Sequence, residues 1–259
     1  MWKVSIIALL LFSSCSENID AKFQEKNRLS IFVASSGKMA ITKVVDTFQK
    51  THKDIKVDIY SMSSGKGFAQ LLNGFQYDLY FSADSEYPTK VFEQNLSTAP
   101  KIYAIGLLAL YSKNSELLKY GVEGMIDSRV KIVSIANPRL APYGLLAMEV
   151  LSSYKIYEKV YEKIVKGDNI AQSLQFIDTG SADIGIVALS LLEDRPKSEY
   201  ILIDKDRYTP VKQAFVITKF GDKKDLAKEF SDFILSEKGQ SIIQNSGFGI
   251  ELIQDRKHI

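Results

Sequence analysis

The sequence predicts an α/β protein of two lobes, each built on a mixed sheet flanked by helices, with a ligand cleft between them. Three observations carry this expectation. Short segments of strand character alternate along the chain with apolar stripes at helical spacing, the pattern of sheets covered by helices on both faces. Two long apolar segments, Ile102 to Tyr111 and Val211 to Thr218, have no immediate helical partner and read as crossings between lobes. The chain is 46% hydrophobic and 25% charged over 259 residues, which suits one large domain or two small ones.

The elements follow in order. Leu29 to Ala34 is a short apolar strand, and Ile41, Val44, Val45 and Phe48 form the first helical stripe. Ile55, Val57 and Ile59 alternate with Lys56 and Asp58, the period of a half-buried strand. Phe68, Leu71, Leu72 and Phe75 repeat the helical spacing, and Tyr77 to Ser82 reads as the next strand. Val130 to Ala136 is a strand followed by the stripe Ala147, Val150, Leu151 and Tyr154. Ile170, Leu174 and Ile177 mark a further helix before the strand Ile184 to Val187, and late helices run near Leu226 to Leu235 and Gln240 to Asn245.

Residues 1–15 read as an export signal: Lys3, then the short apolar run Val4 to Phe12, then Ser13-Ser14-Cys15. That run is too short to span a bilayer. Cys15 is the only cysteine, so no disulfide can form within the chain and the exported domain depends on its core. The segment Leu11 to Cys15 resembles a lipobox, with Phe12 where leucine is usual, and implies lipid attachment at Cys15 on the outer face of the membrane. Residues 16–27 are polar and aperiodic and read as a tether. The first lobe is expected at 28–103 and 213–259, and the second at 104–212.

The formal net charge is +2, without the basic face of a nucleic-acid binder. The functional signal lies in four turns that share one design, a strand, small residues, and then a helix start: Ala34 to Lys38, Ser63 to Gly67, Asn137 to Gly144, and Gly167 to Ile170. The tetrapeptide SSGK occurs twice among them. A helix start offers unpaired N–H groups and the positive end of the dipole, so several converging on one cleft make an anion site from neutral donors. A serine at a helix start also serves as an ordinary N-cap. The turns are not phosphate-binding P-loops, because Phe32 and Tyr60 stand where the first glycine belongs. Lys38 and Lys66 read as solvated lysines at helix starts.

The segments ASSGKMA, SSGKGFAQLLNGFQYDLYFSAD, ANPRLAPYG and DNIAQSLQFIDTGSADIGIVALS resemble the molybdate-binding proteins of ABC importers, in order and spacing, from about Leu29 to Gly249. The resemblance implies a type II periplasmic-binding fold, and a monomer that delivers molybdate or tungstate to a membrane permease. It also implies an oxyanion held by hydrogen bonds without a counter-charge and with no other cofactor. Carried over by motif, Ser36 and Ser64 supply hydroxyl and backbone N–H donors, Tyr143 and Ile170 supply backbone N–H groups, and Ser35 and Gly65 flank them. Many members have a tyrosine at the position of Ala188 that reaches the ligand; that donor is lost here unless Tyr143 or Ser190 compensates.

Other readings are weaker on chemical grounds. An enzyme would need a nucleophile, base or metal. His52 and His258 read as solvated, no His/Cys metal spacing occurs, and Asp78 and Asp84 read as edge and cap residues. The same fold could bind sulfate, phosphate or a carboxylate, but a carboxylate ordinarily recruits an arginine, and Arg139 is the only one in the four turns. A structural or adhesive lipoprotein would need no converging helix starts.

Overall fold

A computed structural model describes residues 27–250. The export signal with Cys15, nearly all of the tether, and His258 lie outside the described residues.

Among the described residues, ten strands form two five-stranded sheets. The first contains β1 (Arg28–Ala34), β2 (Lys56–Met62), β3 (Leu79–Phe81), β4 (Lys101–Gly106) and β10 (Val211–Ile217), in the order β2-β1-β3-β10-β4. β1 pairs in parallel with β2 and β3, whereas β10 runs antiparallel to β3 and β4. The second contains β5 (Leu108–Tyr111), β6 (Val133–Ala136), β7 (Ile164–Gly167), β8 (Ile184–Ala188) and β9 (Tyr200–Leu202), in the order β7-β6-β8-β5-β9. Here β6, β7 and β8 are parallel and β5 is antiparallel to both its neighbours. Both sheets are therefore mixed, as expected. The apolar run Ile102 to Tyr111 is two strands: the chain leaves the first sheet at Leu107 and returns between β9 and β10. Hydropathy does not change across Leu107, so the run reads as continuous.

Among the described residues, eight helices cover the sheets: α1 (Lys38–Gln49), α2 (Ser64–Leu72), α3 (Glu86–Glu93), α4 (Pro142–Ser153), the short α5 (Tyr157–Val160), α6 (Ile170–Asp178), α7 (Asp225–Leu235) and α8 (Glu237–Asn245). The first sheet has a core on each face. Ile41, Val44 and Phe48 of α1 pack with Phe230, Ile234 and Ile243 of α7 and α8 on one side. Phe32, Tyr77, Tyr80 and Val91 fill the other, with Phe32 and Tyr80 stacked at 4.8 Å. In the second lobe, Val133, Ile135, Ile184 and Ile186 pack against Ala147, Val150, Leu151 and Ile177. Each such side chain contributes about 1.5–3 kcal/mol on burial, and the stripe residues on α1, α4 and α6 supply much of this.

Two deviations have local causes. The expected stripe through Phe75 outruns its helix, because α2 ends at Leu72 and Gly74 turns the chain at φ +90°. Leu72 and Phe75 are left exposed. The helix α3 has no legible stripe, since only Pro88 and Val91 of its eight residues are buried.

Candidate ligand-binding site

All four turns form helix starts. Ser35–Gly37 is a 3-10 turn that runs into α1, and Ser63 is the N-cap of α2. Ala141 precedes α4, with Pro142 in the first helical position, where a missing N–H costs nothing. Asn169 caps α6, its side-chain oxygen accepting from the Gln172 N–H at 3.0 Å. Ala34, the last residue of β1, and Ala83, beyond the carboxyl end of β3, join the apolar cluster of the second lobe, so the lobes meet where open α/β sheets hold ligands.

The turns come together at this junction. The Gly65 N–H donates to the Leu140 carbonyl at 3.0 Å, linking the second SSGK turn to the turn before α4. The Lys66 ammonium pairs with Asp168, ahead of α6, at 2.6 Å. Ser190 donates its hydroxyl to the Ser36 carbonyl at 2.8 Å, and the Ser35–Gly37 turn packs on α6.

The donors differ in how they are held. Ser64 Oγ accepts from the Ala83 N–H at 3.0 Å, which leaves its own proton to give. Ser36 is 1% exposed, and its hydroxyl has no hydrogen bond of good geometry among the described residues; its polar neighbour is the Tyr143 side chain. Buried hydroxyls are nearly always paired, so an orphan at a ring of helix starts points to a ligand. Ser63 Oγ is a second such orphan. The backbone N–H groups of Tyr143 and Ile170 lie in the first turns of α4 and α6, where helix geometry gives them no internal acceptor. Ser35 is buried beside Ser36.

Four expectations change. Gly65 brackets the site but gives its N–H to Leu140. Lys66 is not simply solvated, since it bridges the lobes through Asp168. Asp78 is not an edge residue: it is fully buried, accepts from the Ser30 N–H at 2.8 Å, and pairs with Lys224 at 3.0 Å. His52 is partly covered, stacked on Phe48 at 3.9 Å beyond the far end of α1. Asp84 does cap α3, accepting from the Tyr87 N–H, and burial pushes its carboxyl above the usual range.

Ala188 ends β8, fully buried, and presents only a methyl group. Ser190 does not compensate, because its proton goes to the Ser36 carbonyl. The Tyr143 hydroxyl reaches the junction instead, buried, with Gln213 donating to it at 2.9 Å. Burial pushes that hydroxyl and the one on Tyr103 well above the ordinary tyrosine value, so both remain neutral donors. Gln213 and Tyr103 were not singled out by the sequence. The available signal was slight: Gln213 follows Lys212 at the start of a strand that continues as Ala214, Phe215 and Val216.

A two-sheet α/β protein whose helix starts ring a junction between lobes has the architecture of a solute receptor. Residues 29–249 match the bacterial extracellular solute-binding proteins, and the chain belongs to that family. It is 30% identical over 190 residues to the molybdate-binding protein ModA of Rhodobacter capsulatus, covering 73% of this chain and 75% of that one. It is also 25% identical over 255 residues to the putative ABC transporter substrate-binding lipoprotein YvgL of Bacillus subtilis, covering 95% and 96% of the two chains. Among solved structures it resembles the periplasmic molybdate-binding protein of Azotobacter vinelandii, with TM-score 0.81, 28% identity, and coverage of 86% of this chain and all of that one. No helix among the described residues is long and apolar enough to cross a membrane.

Proposed function

We propose that this protein captures molybdate, and tungstate with it, between its two lobes and delivers it as a monomer to the membrane permease of an ABC importer. The observation that carries the reading is the orphaned, buried Ser36 hydroxyl at a junction of four helix starts. Ser36 and Ser64 donate hydroxyls, and the Tyr143 and Ile170 N–H groups complete a shell of neutral donors. The positive ends of the helices favour a dianion. Lys66 and Asp168, which lie in two of the turns, pair with one another. The relatives named for molybdate support this choice of anion. The site binds and does not catalyse: Asp84 is committed to a helix cap and Asp78 to Lys224. No additional cofactor is needed.

Calorimetric titration of residues 22–259 with molybdate, tungstate, sulfate and phosphate tests this. Molybdate and tungstate are expected to bind at micromolar or lower concentration and the other two far more weakly. Equal affinity for sulfate would replace the proposed ligand, and binding of none would remove the site.

The membrane attachment is proposed at Cys15, in keeping with a lipoprotein relative that aligns along nearly the whole chain. Cys15→Ser is expected to move the protein from the membrane to the soluble fraction. A mutant that stays membrane-bound, with no lipid on the unmutated protein, would contradict it.

A further inference from the structure

We propose that Ser190 is a positioning residue for the oxyanion site, whose hydroxyl holds the Ser36 turn from the opposite lobe. The first SSGK turn is then set only where the lobes meet, whereas the second is set within its own lobe. The inference rests on the reading of the site given above and goes beyond it by giving a role to a residue outside the four turns.

The twin turns can be compared atom by atom. Ser36 and Ser64 hold the same place in the two SSGK tetrapeptides, after the paired parallel strands β1 and β2. The Ser64 carbonyl accepts from the Tyr80 hydroxyl at 2.7 Å, and Ser64 Oγ accepts from the Ala83 N–H at 3.0 Å. Tyr80 lies in β3 and Ala83 just beyond it, so Ser64 is fixed from within the first sheet. The Ser36 carbonyl has a matching bond at 2.8 Å, but its donor is Ser190, which follows β8 of the second sheet. No side chain caps the Ser35–Gly37 turn or the start of α1. Among the described residues, the side-chain hydrogen bond that steadies this turn comes from the other lobe.

Ser190 is itself tightly seated. It is buried, and it lies in the 3-10 turn Leu189–Leu191, which packs on both the Ser35–Gly37 turn and α1. Behind it stands Gly247, which follows α8 of the first lobe. A Cβ at 247 would lie 3.1 Å from Ser190 Cα and 3.2 Å from its nitrogen. Ser190 therefore sits between two segments of the first lobe, with little room to turn away. β8 ends in Ala188, which offers an anion no hydrogen-bonding side chain, so this strand end reaches the site through Ser190 acting on Ser36. An order of assembly follows. Parting the lobes breaks the Ser190 bond and releases the Ser36 turn, while Ser64 keeps Tyr80 and Ala83. An anion meets the Ser64 donors already fixed, and closure brings the Ser36 donors into place. Fixing a donor in advance lowers the cost of binding, so the Ser190 hydroxyl contributes to affinity by way of Ser36 and not of Ser64.

The test is a pair of double-mutant cycles read by calorimetric titration with molybdate. They use the unmutated protein, Ser190→Ala, Ser36→Ala, Ser64→Ala, and Ser190→Ala combined with each of the other two. Ser190→Ala alone is expected to weaken molybdate binding about two- to tenfold, the worth of one neutral hydrogen bond. On the Ser36→Ala background most of that factor should vanish, because the hydroxyl that Ser190 positions is gone. On the Ser64→Ala background it should remain whole. Full-strength binding by Ser190→Ala would overturn the proposal. So would the same loss on both backgrounds, which is what a bond that merely fastens the lobes together would give. Should Ser190→Ala not fold, Ser190→Cys takes its place in both cycles, since a thiol is a weaker donor. Failure of the unmutated protein to bind molybdate or tungstate would instead remove the site reading on which the proposal stands.

Discussion

Ser36 and Ser64 sit in twin SSGK turns, yet the fold uses their hydroxyls differently. Ser64 Oγ is tied to the buried Ala83 N–H, while Ser36 Oγ has no well-formed bond among the described residues. Alanine at either position is expected to weaken molybdate binding ten- to a hundredfold, since a hydrogen bond to a charged group contributes about 1.5–3 kcal/mol. Their stabilities should diverge. Ser64→Ala orphans the Ala83 N–H at a cost of about 1–3 kcal/mol, a fall of several degrees in Tm without ligand, whereas Ser36→Ala should melt close to the unmutated protein. Titration and thermal melts of both variants check this; equal melting temperatures would show that Ser64 does not hold that amide. The repeated tetrapeptide made both serines legible. Their different bonding was not, because Ala83 and Ser190 reach them only through the fold.

At the scale of elements, two ion pairs among the described residues join the lobes directly. Lys66, at the start of α2, pairs with Asp168 ahead of α6, and Lys43 on α1 pairs with Glu193 beyond β8. These link residues 102 and 150 positions apart in the chain, so no local pattern announces them, and Lys66 reads in sequence as an ordinary solvated lysine. The side chains of Lys66 and Asp168 remain 41% and 58% exposed, and such pairs contribute only about 0.2–1 kcal/mol each. Contacts of that strength between the lobes are expected to favour the arrangement in which the lobes meet. Lys66→Ala or Asp168→Ala is expected to weaken binding by no more than about fivefold, with the difference fading near 0.5 M salt as screening takes over. The pair of mutations together should cost no more than either alone. A hundredfold loss in Lys66→Ala would mean that the lysine touches the ligand, and the neutral-donor account would fail.

Over the whole molecule, what was legible is what periodicity encodes. The stripes of α1, α4 and α6 and the strands β1 and β8 stand out because their apolar residues are buried, and β2, only half-buried, shows as an alternation. The three-residue β9 and the polar α3 have too few buried positions to leave a pattern. The split of Ile102 to Tyr111 at Leu107 is hidden because both sheets bury the run alike. Two sheets joined in this way place four distant turns at one junction, and the turns were readable before their convergence was. The contacts of Gln213 with Tyr103 and Tyr143 depend on the bulge at Tyr103, and in sequence Gln213 is one of two adjacent polar residues, with Lys212, at the start of its strand.

The central claim is that neutral donors from both lobes surround one oxyanion, and a crystal structure with molybdate tests it most directly. Anomalous scattering at the molybdenum edge locates the metal without ambiguity. The account predicts one molybdenum atom at the junction, with its oxygens about 2.7–3.1 Å from the hydroxyls of Ser36 and Ser64 and the backbone nitrogens of Tyr143 and Ile170. A molybdenum atom outside that junction, or one whose oxygens rest on the ammonium groups of Lys38 and Lys66, would contradict it.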